Sequence, residues 1–311
     1  MPKGYLFVPI QSVLISGTII SLTCLILRLF VRRKINSRLY LEDYCLIFSW
    51  AFILTADLID AIYNAGLGTH VQNLSTSLLD LFEKLILATA CLFVTGSCLA
   101  RSAHLIFLAR IFAGKQSMRY AVYTVTVFIT VGSAATFSLF VFACRPISKS
   151  WTITQAGRCI NQSAIFIAVA IFNICSDILL LLLPVPTIYR LKITHTQKVK
   201  FMIISIMVCV TFIASAVRLG ITIPLLTSRD LTYDTARLGL LVGIEANILI
   251  IAPCLPAIQQ GFRIASSNHN IMPGGPSKTR NSFGTARLDA PLKTIEGLSS
   301  EFKQNPFCIT A

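Results

Sequence analysis

The sequence predicts an all-α, polytopic membrane protein, a bundle of seven transmembrane helices with its N-terminus outside and its C-terminus inside. Three observations lead there. Of 311 residues, 55% are hydrophobic and only 13% are charged, with a mean hydropathy of +0.74, whereas soluble domains carry about 25% charged residues. So few charges cannot cover a water-soluble globule of this size, which excludes an ordinary cytosolic enzyme. Seven apolar runs each reach the roughly 20 residues needed to cross a ~30 Å hydrocarbon core. The 27 Lys and Arg also divide unevenly between the two sets of connecting loops, as retention of positive charge in the cytoplasm requires.

The first run covers residues 5–30 and is free of charge between Lys3 and Arg28. It is longer than the apolar core of a signal peptide and is followed by Arg32-Arg33-Lys34, so it reads as a retained helix. The second, 44–65, is interrupted by Asp57 and Asp60. The third, 84–108, carries Arg101 and His104 near its end. The fourth, 121–143, has no charge at all. The fifth, 160–183, contains Asp177 and stops at Pro184-Val185-Pro186, which cannot continue a helix. The sixth, 201–226, contains Arg218. The last, 238–258, contains Glu245 and closes on Pro253 and Pro256.

Of the 27 Lys and Arg, 17 fall on the side of the tail, 7 on the opposite side, and Arg28, Arg101 and Arg218 within spans. That bias puts the C-terminus in the cytoplasm. It also makes the formal charge of +14 mainly a matter of topology, so nucleic acid is not an expected partner and the lipid bilayer is. Both N-x-S/T sequons, at Asn73 and Asn161, fall on the outer side, where glycosylation occurs. Cys144 and Cys159 bracket the outer loop between the fourth and fifth spans. In an oxidising compartment they are candidates for a disulfide clamping a loop that holds Trp151, the alternative being two unpaired boundary thiols. The other cysteines of the spans behave as small hydrophobes.

Several motifs follow one another along the chain. Arg38-Leu39-Tyr40-Leu41-Glu42-Asp43-Tyr44 enters the second span, and Gly66-Leu67-Gly68-Thr69-His70 leaves it. Cys144-Arg145-Pro146, Trp151 and Cys159 mark the outer loop. Asn173 and Asp177 precede Leu183-Pro184-Val185-Pro186, and Ile244-Glu245-Ala246-Asn247 precedes Pro253-Cys254-Leu255-Pro256. In this order they resemble the fungal rhodopsin-like domain family of seven-helix membrane proteins, which includes the Pth-like receptors and a satratoxin-cluster protein. The resemblance covers about residues 14–264. A Lys-x-Ser-x-Leu stretch usual in that family is replaced by Arg101-Ser102-Ala103-His104-Leu105, which keeps the charge and shifts the serine. The resemblance implies a receptor-like protein of the plasma membrane or an endomembrane. Because only a few residues precede the first span, a ligand is expected to be read by the bundle and its outer loops.

Charges inside a membrane are costly, so each marks a candidate site. At 1.5 Å per residue, Asp57, Asp60, Arg218 and Glu245 fall about 4–8 Å outside the midplane, and Arg101 and Asp177 about 7–8 Å inside it. Each layer holds both signs. The expectation is that Arg218 pairs with Glu245 or an aspartate and Arg101 with Asp177. The outer group is then the floor of a ligand cavity, and the inner pair, with Asn173 and Asn247, a latch on the cytoplasmic face. The plainer alternative is static glue that fixes helix register. The inner loops, Arg110 onward and 190–200, form a basic apolar surface suited either to a heterotrimeric G-protein α subunit or to anionic headgroups.

Other chemistries find no support. A retinal Schiff base needs a lysine in the last span, and there is none between Lys200 and Lys278. The four histidines are scattered, so no metal site is expected, and no Gly-rich phosphate loop, nucleophile elbow or CxxC metal pair occurs. The domain organisation expected is a seven-span domain over 1–264 and a disordered cytoplasmic tail over 265–311, rich in Ser, Asn, Gly, Pro and Lys. The tail ends Cys308-Ile309-Thr310-Ala311, a loose prenylation outline at Cys308 or an ordinary terminal cysteine. The functional expectation is a G-protein-coupled-receptor-like sensor of a small extracellular ligand, not an enzyme. A transporter or accessory membrane protein of secondary metabolism is the alternative.

Overall fold

The computed structural model describes residues 7–36, 38–62, 76–111, 116–152, 155–183, 195–223 and 231–269. Seven long helices lie among them: α1 (Phe7–Asn36), α2 (Leu41–Ile62), α3 (Thr76–Ile111), α4 (Gln116–Val141), α5 (Gln162–Leu182), α6 (His195–Thr222) and α7 (Leu231–His269). The fold class is therefore all-α, as the apolar runs require, because only a helix satisfies its backbone within a single membrane-spanning segment. Six of the helices contain a stretch long and apolar enough to cross a membrane. The exception is α2, which among the described residues carries Glu42 and Asp43 in its first turn and Asp57 within its apolar run. It packs chiefly along α3 and next against α1.

The polarity of the bundle is inverted relative to a soluble domain. Ile15, Ile19, Ile26 and Phe30 of α1, Tyr123, Val127 and Val131 of α4, and Ile206, Ile213 and Val217 of α6 are exposed, recurring at helical spacing along faces that suit lipid. Arg28, Glu42, Asp43, Arg101, Asp177, Arg218 and Glu245 are buried. Lipid tails are as apolar as leucine, so helix association in a membrane relies on close packing and polar contacts. Small residues provide the first of these. A Cβ on Gly96 of α3 would lie 3.2 Å from Ile53 and 3.4 Å from the Ser49 carbonyl of α2, and the Ser49 hydroxyl donates to the Gly96 carbonyl at 2.7 Å. Gly17 of α1 lets Asn247 of α7 approach in the same way.

Two helix ends differ from the sequence reading. Pro253 and Pro256 were expected to close the last span, yet α7 continues through both to His269. The missing N–H groups of Pro253 and Pro256 deprive the Leu249 and Ala252 carbonyls of their helical partners, a disturbance that membrane helices tolerate, and Arg28 of α1 donates to the neighbouring Pro253 carbonyl. The helix also extends past residue 264. The expected tail beyond 269, including Cys308, lies outside the described residues, as do Asn73 and the side chain of Asp60.

At one end of the bundle, the α4–α5 connection is a short hairpin. Strand β1 (Cys144–Arg145) pairs antiparallel with β2 (Arg158–Cys159), with Cys144 opposite Cys159 and Arg145 opposite Arg158. A disulfide joins Cys144 to Cys159, and a turn of 3-10 helix, Ile147–Ser150, lies between the strands. Asn161 sits exposed just before α5, its carbonyl accepting the Ile165 N–H at 3.2 Å.

Candidate functional site

Three features stack along the interior, the first at the end of the bundle that the charge count assigns to the cytoplasm. Here α2 begins with Glu42 and Asp43 in its first turn, where carboxylates favour the helix dipole. Asp43 accepts the Tyr40 N–H at 3.1 Å, which satisfies a donor the helix start would leave orphaned. The same two acids hold α1. Arg28 contacts Asp43 at 2.9 Å and Glu42 at 3.1 Å with both partners fully buried, and Arg32 also pairs with Glu42. From α3, Arg110 reaches Glu42 at 3.2 Å while its guanidinium stacks 3.4 Å over the Tyr40 ring. With Arg28 also on the Pro253 carbonyl, the cluster ties α1, α2, α3 and α7 together.

The second feature lies deeper. Arg101 of α3 contacts Asp177 of α5 at 3.2 Å and Glu245 of α7 at 3.5 Å. Ser215 of α6 donates to the other Asp177 oxygen at 2.8 Å, and Arg218, one turn further along α6, lies 3.3 Å from Glu245. Two arginines and two carboxylates thus form one chain across α3, α5, α6 and α7, with a formal charge of zero. The Arg218 end is the looser one. Its Nε and Nη2, and the Glu245 Oε2 facing them, are buried without hydrogen-bond partners, so the contact is an ion pair of poor hydrogen-bond geometry. Phe93 lies under the guanidinium at 5.6 Å.

The third feature is a cavity of about 110 Å³ directly against Arg218. Its walls come from Ile53 and Asp57 of α2, Phe93 of α3, Phe140 of α4, Phe166 of α5, Arg218 of α6 and Val242 of α7, so six helices meet around it. Asp57 accepts a hydrogen bond from Thr18 of α1 at 2.6 Å. A second hollow of about 40 Å³, bordered by Cys144 and Ser150 of the hairpin, shares the walls Ile86, Phe140 and Phe166 with the first. The two lie in series, from beneath the disulfide-bonded loop to the charged chain. An apolar hollow with a few fixed polar groups is the usual form of a small-molecule site.

Among the candidate residues, the structure brings Arg101 to Asp177 and Arg218 to Glu245. The expectation of two separate layers is corrected: Glu245 touches both arginines and merges them. Depth counted at 1.5 Å per residue locates a Cα, whereas an arginine side chain spans more than a helical turn. Asp57 stands apart from this chain, bonded to Thr18 and lining the cavity. Asn247 accepts from Ser21 at 2.7 Å and donates to the Gly243 carbonyl at 2.9 Å, joining α7 to α1 rather than to the Arg101 pair. The Asn173 amide nitrogen is buried without a partner, one turn from Asp177.

A family model described as the fungal rhodopsin domain matches residues 27–264. The chain belongs to that family. The chain is a multi-pass membrane protein of fungal rhodopsin type, and the matched segment contains all three interior features. Among curated proteins, a SAT4 family membrane protein of Emericella nidulans is 28% identical over 200 residues, 64% of this chain and 50% of that protein. The polyenoic acids biosynthesis gene cluster protein Ba17b of Metarhizium anisopliae is 28% identical over 182 residues, 56% of this chain and 49% of its own length. Fugralins biosynthesis cluster protein 2 of Gibberella zeae is 26% identical over 119 residues, 37% and 30% respectively. The chain therefore spans about half the length, or less, of these relatives. No solved structure matches it.

In this fungal rhodopsin domain, the cluster around Glu42 is the part that reading the sequence for sites missed. In the sequence Arg28 stands as a charge inside a span with no evident partner, and Glu42-Asp43 as part of a motif. The signal was present: a buried arginine at the end of one helix and two acids opening the next, joined by a short inner loop.

Proposed function

We propose that this fungal rhodopsin domain is a G-protein-coupled-receptor-like sensor of a small extracellular molecule that binds in the cavity between α2 and α7. The observation that carries this reading is continuity. The cavity wall residue Arg218 contacts Glu245, Glu245 contacts Arg101, and Arg101 contacts Asp177. A ligand that favours one arrangement of this chain shifts the bundle toward it, and α3 and α6 carry the change to the basic inner surface, where a G-protein α subunit docks. The reading gives the chain no catalytic role and sets it in the plasma membrane, N-terminus outside, with an endomembrane as the alternative.

The test is capture of Gα by the tagged chain, solubilised gently from fungal membranes, with and without GTPγS. Gα that is retained and then released by nucleotide supports the sensor. Its absence from folded protein removes the reading. A second reading, a transporter or accessory membrane protein of secondary metabolism, is favoured by the names of two relatives, which refer to polyenoic acids and fugralins biosynthesis clusters. Flux of substrate across vesicles containing the chain distinguishes the two, because a sensor gives none.

A further inference from the structure

Arg218 is the cavity group that the fold leaves least satisfied. A guanidinium carries five N–H donors in a planar fork. Here the side chain is 4% exposed, and Nε and Nη2 have no hydrogen-bond partner. Its carboxylate contact, Glu245, is 3.3 Å away and is shared with Arg101. Arg101 is better served, with Asp177 at 3.2 and 3.3 Å from two of its nitrogens. Around Arg218 the walls are apolar and aromatic: Phe93, Phe140, Phe166, Val169, Leu238 and Val242.

We infer that the cavity takes a small, predominantly apolar molecule ending in a carboxylate, and that this carboxylate docks on Arg218 in competition with Glu245. The inference rests on the sensor reading above and specifies its ligand. Arginine binds a carboxylate through two parallel charge-assisted hydrogen bonds, the geometry that Glu245 fails to supply. Glu245 is not stranded when displaced, because its Oε1 already lies 3.5 Å from Arg101. The exchange gives the ligand a direct effect on the chain of charges beneath it. The apolar part of the molecule lies along the Phe140–Phe166 wall, whose rings are 5.8 Å apart, toward the hollow under the disulfide-bonded hairpin.

Asp57 provides a test of the ligand's sign. The Thr18 hydroxyl has one proton for two acceptors, Asp57 at 2.6 Å and the Leu14 carbonyl at 2.9 Å, and among the described residues no cation pairs with Asp57. Its charge opposes a bound anion and favours a cation, so Asp57→Asn tightens the first and weakens the second.

The experiment uses the full chain in nanodiscs with radiolabelled octanoate, octanol and octylamine, empty nanodiscs correcting for lipid partition. The expected result is saturable octanoate binding about tenfold or more tighter than either analogue, as loss of a charge-assisted pair implies. It is lost in Arg218→Gln and tightened in Asp57→Asn. Because Arg218→Gln leaves Glu245 with the 3.5 Å contact to Arg101 as its remaining ion pair and an uncompensated buried charge that threatens folding, Arg218→Gln with Glu245→Gln keeps the site neutral and is expected to lose octanoate as well. Octanoate binding unchanged in that double variant overturns the inference. So does preference for octylamine abolished by Asp57→Asn, and so does the lack of saturable octanoate binding to folded protein. Gα capture fails or succeeds independently of these probes, so the sensor reading is judged separately.

Discussion

Arg101, Asp177, Arg218 and Glu245 put four formal charges in buried positions, and their arrangement decides what each costs. Removing one partner of a buried pair strands the other, a loss of about 3–5 kcal/mol, while removing both is often close to neutral. Asp177→Asn and Arg101→Gln are each expected to lower thermal stability in nanodiscs, and the double variant is expected to lose clearly less than their sum. Additive losses would mean that the 3.2 Å contact contributes nothing as a pair. Arg28 is expected to be the most sensitive arginine, because it serves Glu42, Asp43 and the Pro253 carbonyl together. Arg28→Gln should reduce the folded yield more than Arg32→Gln, whose side chain is partly exposed and has Glu42 as its one carboxylate contact among the described residues, as fluorescence-detected size exclusion would show.

The element scale separates what patterning reveals from what packing decides. The seven helices were legible because an apolar run of membrane length has few alternatives to a helix, and the paired signs in the spans put Arg101 with Asp177 and left Arg218 to Glu245 or an aspartate, of which the structure takes Glu245. The end of α7 was not legible, since proline stops a helix in water but is tolerated inside a membrane helix, where neighbouring groups take up the disturbed backbone. Nor was the bridging by Glu245, which depends on how α7 is rotated between α3 and α6. The α2–α3 contact makes a sharp prediction. Gly96→Leu places side-chain atoms where Ile53 and the Ser49 carbonyl stand at 3.2 and 3.4 Å from a bare Cβ. Overpacking of this kind costs about 1–3 kcal/mol, so melting should fall well below that of Gly96→Ala. In the hairpin, replacing Cys144 and Cys159 with serine opens a loop of sequence separation 15, for which the chain-entropy account gives about 3 kcal/mol. A reducing agent should lower the melting temperature of the wild type but not of that variant.

Among the described residues, charge and polarity are sorted, with apolar faces outward and ion pairs inward, and the sequence assigns the basic loops predominantly to one side. The orientation makes its own prediction at this scale. Asn73 is expected to carry a glycan in fungal membranes, so Asn73→Gln should abolish the mobility shift removed by endoglycosidase, and a cytoplasmic tag at the C-terminus should need permeabilisation to be labelled. The central claim is that the charged chain from Arg218 to Asp177 joins the cavity to the inner surface. Glu245→Gln tests it most directly, because it weakens the one link that touches both arginines. The measurement is Gα retained per mole of folded, tagged chain, wild type against variant. Weakening the restraint across α3, α6 and α7 is expected to raise retention several-fold in the absence of any added ligand. Equal retention at equal folded amounts would contradict the account and leave the buried charges as static joints between helices.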